Sequence, residues 1–171
     1  MIWLLLAVII LLYGFVVFFG APYVPSNRKE VARAFDELYP VGPDDVLVDI
    51  GSGDGIVLKL AAERGATAVG YELNPLLVWI SRLLLRAYPR VSVHLANFWR
   101  ATLPTDTTVV YTFGDSRDIK KMANKVAETA ATIGRPLAFI SYAIEVPGLK
   151  PTKKVGAHFL YIIEPLQMSE A

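Results

Sequence analysis

The chain has 171 residues, of which 54% are hydrophobic and 19% charged, and its formal net charge is +1. That length builds one domain with a substantial core and is too short for two ordinary ones. So small a charge gives no global field to recruit nucleic acid, which is not expected as a partner, and the absence of cysteine excludes a disulfide framework and a thiolate metal site.

The hydrophobic excess is concentrated at the N-terminus. No charged residue occurs from Ile2 to Phe19, and as a helix this run would extend roughly 27 Å, slightly less than a ~30 Å hydrocarbon core. One membrane crossing is the expectation, with Trp3 and Tyr23 near the two interfaces. A cleaved signal peptide or a buried helix is the competing reading. Signal peptides, however, usually carry only about 7–15 apolar residues behind a positive leader, and no Lys or Arg precedes this run. Arg28, Lys29 and Arg33 follow it closely, so the positive-inside rule places the rest of the chain in the cytoplasm. The expected protein is therefore single-pass, with residues 1–20 as anchor and the lipid bilayer as a partner.

Residues 21–44 read as connector and helix. Pro22 and Pro25 fix an extended stretch; Asn27 with Glu30 three residues on resembles a capping box, and Val31, Phe35 and Leu38 share a helical face. Val46 to Ile50 is then a short apolar run broken only by Asp49, as in a parallel strand covered on both faces. It enters a turn with Gly51, Gly53 and Gly55, where backbone can approach a ligand and φ can be positive.

Helices are expected over Ile56–Arg64, Pro75–Tyr88 and about Asp118–Thr132, and strands over Ala66–Tyr71, Val91–Leu95, Thr107–Thr112, Leu137–Ala143 and His158–Glu164. The Pro- and Gly-containing stretch from Val146 to Gly156 reads as a loop. Alternating strands and helices, followed by two strands with no helix between them, indicate a mostly parallel α/β sheet with an antiparallel edge. His94 and His158 fall in strands with no ligand spacing, so no metal is expected.

Ligands of such sheets sit beyond the strands' carboxyl ends near the switch in strand order, where the glycine turn belongs. Glu72, 17 positions beyond Gly55, ends the next strand and is placed to accept hydrogen bonds from both hydroxyls of a ribose. The dinucleotide pattern G-x-G-x-x-G fails, because counting from Gly51 its third glycine falls on Ile56, and no Walker A lysine follows.

Asp49 with the Gly51–Gly55 loop resembles motif I of the seven-β-strand S-adenosylmethionine-dependent methyltransferases. Pro-Tyr-Val-Pro-Ser at 22–26, Gly-Tyr-Glu-Leu-Asn-Pro at 70–75 and Asn-Phe-Trp at 97–99 extend the resemblance. They are similar to the membrane-anchored lysine methyltransferases of the adenine nucleotide translocase and the ATP synthase c-subunit, with their prokaryotic relatives. The resemblance implies a Rossmann-like sheet of seven strands over residues 45–171 and S-adenosyl-L-methionine as cofactor, with an integral membrane protein as substrate. By the same likeness Asp49, Gly51, Ser52, Gly53 and Gly55 hold the methionine end, Glu72 the ribose, and Asn97 and Phe98 flank the adenine. The family more often has Asp at the position of Asn97. Tyr23 would line the acceptor channel.

Asp115, in the turn after the fourth strand, is the hypothesised acceptor-side group, orienting the substrate amine or helping to remove its proton; a turn or N-cap role is the alternative. Pro147-Gly148-Leu149-Lys150-Pro151 lacks the Trp that relatives carry between prolines there. Competing functions are methylation of a membrane lipid or quinone-like molecule, and a non-catalytic cofactor-binding module.

Overall fold

A computed structural model describes residues 2, 3, 6, 26–114 and 116–165. Its centre is β1 (Val46–Ile50), buried at all five positions. The strand pairs in parallel with β2 (Thr67–Glu72) on one side and β4 (Val109–Thr112) on the other. β3 (Val91–Leu95) lies outside β2, and β5 (Leu137–Tyr142) runs parallel to β4. The last two strands, β6 (Lys153–Val155) and β7 (His158–Ile163), form a hairpin whose second arm inserts antiparallel beside β5. The order is β3-β2-β1-β4-β5-β7-β6, a Rossmann-like seven-stranded sheet with an antiparallel edge. The chain leaves β1 toward one side and later returns to the other, so the switch point lies between β1 and β4.

Helices cover both faces of the sheet. α1 (Arg28–Arg33) starts at Asn27, whose side chain accepts the Lys29 N–H at 3.0 Å. It continues as a wider π-helical turn over Ala34–Leu38. Val31, Phe35 and Leu38 are buried as their spacing predicts, against the sheet face that carries Leu47, Tyr111 and Ile140. α2 (Ile56–Ala62) packs on the same face through Val57, Leu58 and Ala61. α3 (Pro75–Leu84) buries only Val78 and Ser81, leaving Leu76, Trp79 and Leu83 exposed on its outer side. α4 (Ile119–Ile133) covers the other face with Ile119, Ala123, Val126 and Ala130.

Two expectations are corrected. The stretch read as a loop from Val146 to Gly156 contains β6, whose residues gain their hydrogen bonds from β7. The single-pass membrane localisation with a cytoplasmic catalytic domain is overturned: among the described residues no helix is long and apolar enough to cross a membrane. α4, with 15 residues, spans roughly 22 Å and carries Lys120, Lys121, Lys125 and Glu128. Apart from Ile2, Trp3 and Leu6, the apolar run of the expected anchor lies outside the described residues, as do Tyr23 and Asp115.

Candidate functional site

The turn after β1 is built from backbone. Gly51 and Ser52 both donate their N–H to the Tyr71 carbonyl, at 2.9 and 3.2 Å, and the Gly55 N–H closes the turn on the Ser52 carbonyl at 2.8 Å. Gly51 and Gly55 have φ of 74° and 84°, a region that disfavours any residue with a Cβ, yet their surroundings differ. A Cβ on Gly51 would meet nothing within 4 Å, whereas one on Gly55 would lie 2.6 Å from Leu85 Cδ1 and 3.2 Å from Ser81 Cβ. Gly51 thus faces open space and Gly55 a helix. Ser52 points inward at 5% exposure, and its Oγ would be 2.6 Å from a Cβ on Gly70.

Glu72 clasps this loop. Its Oε2 accepts the Gly53 N–H at 3.0 Å and its Oε1 the Asn74 N–H at 2.8 Å. Asn74 in turn caps α3 by accepting the Leu76 N–H at 2.9 Å, with Pro75 opening the helix. Each carboxylate oxygen, having about two acceptor positions, keeps one for a further donor.

Asp49 is 3% exposed. Burial pushes its carboxyl well above the usual carboxylate range, and the charges of Glu72 and Asp54 push it further. The Glu72 and Asp54 charges beside one glycine turn favour a cationic ligand and disfavour a pyrophosphate. The chemistry of the donor set therefore fits a nucleoside that carries positive charge.

At the neighbouring strand end, the Ala96 N–H donates to the Glu72 carbonyl at 3.0 Å, which brings Asn97 and Phe98 beside Glu72. Asn97 is exposed and its side-chain oxygen accepts the Trp99 N–H at 3.0 Å, capping a short 3₁₀ turn over Phe98–Arg100. Phe98 is 5% exposed; its ring packs 6.5 Å from Tyr71 and lies under Lys125 Nζ at 5.3 Å. Among the described residues no group of three His, Asp or Glu could hold a metal ion.

Sequence reasoning missed a second cluster on the face shared by Asp49 and α1. Tyr111, in register with Asp49, pairs its hydroxyl with His158 Nε2 at 3.0 Å, and both side chains are buried. The Tyr142 ring lies 4.6 Å from His158 and 4.9 Å from Phe113. Burial pushes the Tyr111 hydroxyl well above its usual range, with Asp49 adding to the shift. The available signal was a polar aromatic or imidazole at positions where β4 and β7 are otherwise apolar.

Burial lowers the His158 pKa to about 4, so between pH ~6.5 and 4 the unfolded chain binds a proton that the folded one refuses. This part of the stability is present above the unfolded value and is lost as pH falls through that window. Asp49, shifted upward, acts with opposite sign. We therefore expect the urea midpoint of wild type to fall more steeply than that of His158→Gln between pH 6.5 and 4; equal slopes would refute the assignment.

An open α/β sheet of this order, with a glycine turn at its switch point and an acidic end on the next strand, defines a Rossmann-like nucleoside-binding domain. Residues 49–153, more than half of the chain, match the ANTKMT methyltransferase domain, and the chain belongs to that family. It is 40% identical over 112 residues to the ATP synthase c-subunit lysine N-methyltransferase of Mus musculus, covering 61% of this chain and 42% of that protein. With the adenine nucleotide translocase lysine N-methyltransferase of Mus musculus it shares 38% over 86 residues, 48% of this chain and 37% of that protein. The chain thus spans less than half the length of these relatives. Among solved structures, an RNA methyltransferase from Salinibacter ruber in complex with S-adenosyl-L-homocysteine superposes with a TM-score of 0.73 at 25% identity, over 86% of this chain and 98% of that one.

Proposed function

We propose that residues 45–171 form an S-adenosylmethionine-dependent protein-lysine N-methyltransferase domain, acting on a protein of the ATP synthase c-subunit or adenine nucleotide translocase type. The observation that carries the reading is the Glu72 carboxylate, bonded to the Gly53 and Asn74 amides and retaining acceptor positions for a ribose. Family membership and the lysine N-methyltransferase relatives support the acceptor class.

In this reading Glu72 takes the ribose hydroxyls, and the open side of Gly51 and the Gly53 backbone take the methionine end. Asp49 lies buried at the end of β1 beneath the loop, while Asn97 and Phe98 border the adenine. Ser52 and Gly55 shape the loop from its protein side. The bound cofactor supplies an electrophilic methyl group on a sulfonium. The chain's own residues then align the acceptor amine for in-line attack and keep water out. A lysine amine with a reference pKa of about 10.4 must lose its proton first, and Asp115 is the proposed acceptor-side group, with Tyr23 lining the channel. Asp115→Asn should slow methylation with unchanged cofactor affinity.

The test is incubation of the protein with labelled S-adenosylmethionine and, separately, purified ATP synthase c-subunit, ribosomal RNA and lipid extract. Label on a lysine of the c-subunit protein is expected. Label in RNA would transfer the reading to the chemistry of the Salinibacter neighbour, and label in lipid to a small-molecule acceptor. Tight cofactor binding with no transfer to any of them would leave a binding module.

A further inference from the structure

Two aromatic rings stand at the carboxyl edge of the sheet, beyond β4 and at the end of β5. Asp49, Tyr111 and Ile140 are in register across β1, β4 and β5. Two residues further along, Tyr142 ends β5 on the same face by the alternation of the strand, and Phe113, just past β4, meets it there, while β1 has already turned at Gly51. Gly51 contributes no side chain there. Phe113 and Tyr142 are half-buried and meet edge to face, their ring centroids 4.9 Å apart. Resting on the reading of the preceding subsection, we propose that Phe113 and Tyr142 form the aromatic wall of the methyl-acceptor site and take the alkylammonium arm of a substrate lysine, with His158 as the positioning residue that aims Tyr142.

Three features fix the Tyr142 ring from behind. Ala143, the next residue, has φ of +66° and is the one non-glycine residue in that region among those described. An L-residue there is disfavoured relative to ordinary backbone, and such strain persists only where surrounding structure imposes it. Here the Ala143 N–H donates to the Ala157 carbonyl at 2.8 Å, and the Ser141 hydroxyl donates to the Ile144 carbonyl, closing the turn on both sides. The third feature is His158, 0% exposed, held by Tyr111 at 3.0 Å and set 4.6 Å from the Tyr142 ring.

His158 Nδ1 is buried with no hydrogen-bond partner. A neutral imidazole behind the wall adds no positive charge to oppose an ammonium in front of it. Aromatic faces attract ammonium groups through the ring quadrupole, and the strand register puts Glu72, two residues beyond Gly70, on the face that carries Asp49 and Tyr111. A primary alkylammonium suits this surface better than an anionic or purely apolar acceptor.

Two measurements on the full chain, loaded with S-adenosylhomocysteine or S-adenosylmethionine, decide the proposal. The first is saturation-transfer NMR with n-butylammonium, which mimics the lysine side chain. The second is the KM for the ATP synthase c-subunit protein. Tyr142→Leu is expected to abolish saturation transfer and raise the acceptor KM about ten-fold, with unchanged S-adenosylhomocysteine affinity as the control for folding. Tyr142→Phe keeps the ring and should retain both. His158→Gln should raise the acceptor KM in the same direction without changing S-adenosylhomocysteine affinity. Ala143→Gly relieves the backbone strain, so it should hold the melting temperature while lowering the acceptor kcat/KM roughly five-fold through a poorly aimed ring.

Equal saturation transfer in wild type and Tyr142→Leu would overturn the wall, as would an unchanged acceptor KM in a protein that does methylate the ATP synthase substrate. Saturation transfer that depends on Tyr142, in a protein that labels no protein lysine, would instead retain the wall and overturn the protein-lysine reading.

Discussion

Replacing Glu72 by Ala is expected to weaken S-adenosylmethionine binding by about a hundred-fold or more. A hydrogen bond to an ionised acceptor contributes about 1.5–3 kcal/mol, so losing two to a ribose costs about 3–6 kcal/mol, or roughly 10²–10⁴ in Kd. The substitution also strands the Gly53 and Asn74 amides that the carboxylate now satisfies. α3 should survive, because Asn74 caps it independently. Glu72→Gln retains one side-chain oxygen as acceptor and should lose less affinity. Titration calorimetry checks both variants, and an unchanged affinity in Glu72→Ala would remove the ribose assignment.

The largest stability effect is expected at Gly55. Alanine there must adopt φ of 84°, at roughly 1–2 kcal/mol. Its Cβ also meets Leu85 Cδ1 at 2.6 Å and Ser81 Cβ at 3.2 Å, and overpacking of this kind adds about 1–3 kcal/mol. The Leu85 tip can swing away, but Ser81 lies on α3 itself. A total of roughly 2–5 kcal/mol should lower the melting temperature by roughly 5–15 °C in a domain of this size. Gly51→Ala is the matched control. It carries a similar φ of 74° but meets no neighbour, so it should lose only about 1–2 kcal/mol of stability while intruding on the proposed cofactor space. Thermal melts and cofactor titrations on the two variants should therefore separate, with Gly55→Ala failing mainly in stability and Gly51→Ala mainly in binding. Parallel behaviour would contradict this division of the glycines.

The parts of the fold that could be read from sequence are those whose local pattern and burial agree. β1 announced itself because its apolar run is buried on both faces, and Glu72 because the β-α-β spacing delivers it beside the loop. β6 could not be read: Lys153 and Lys154 are exposed, and three edge residues show no alternation, so only pairing with β7 makes them a strand. β4 begins at Val109 and not Thr107, since the Thr107 N–H and hydroxyl both turn back onto the Pro104 carbonyl. α3 stops at Leu84, ahead of Pro89, whose ring biases Tyr88 away from helix. The capping box was half legible, for Asn27 caps while Glu30 reaches toward Gly156.

The cluster of Tyr111, His158 and Tyr142 was invisible for a different reason. Tyr111 and His158 are 47 residues apart and share no motif; the sheet order brings them together by inserting β7 beside β5. The apolar N-terminal run shows the opposite failure, since a strong local pattern suggested a membrane span that no helix among the described residues provides.

The clasp between Glu72 and the Gly53 amide bears on the timing of ligand entry. Because the carboxylate already orders the glycine turn, the receiving loop loses little conformational entropy when a cofactor arrives. The Gly53 and Asn74 amides should then be slow to exchange their hydrogens with solvent even in the ligand-free protein, and binding should protect them only modestly further. Recognition would proceed by docking onto a surface that is already set, with the association rate governed by diffusion and charge more than by loop closure.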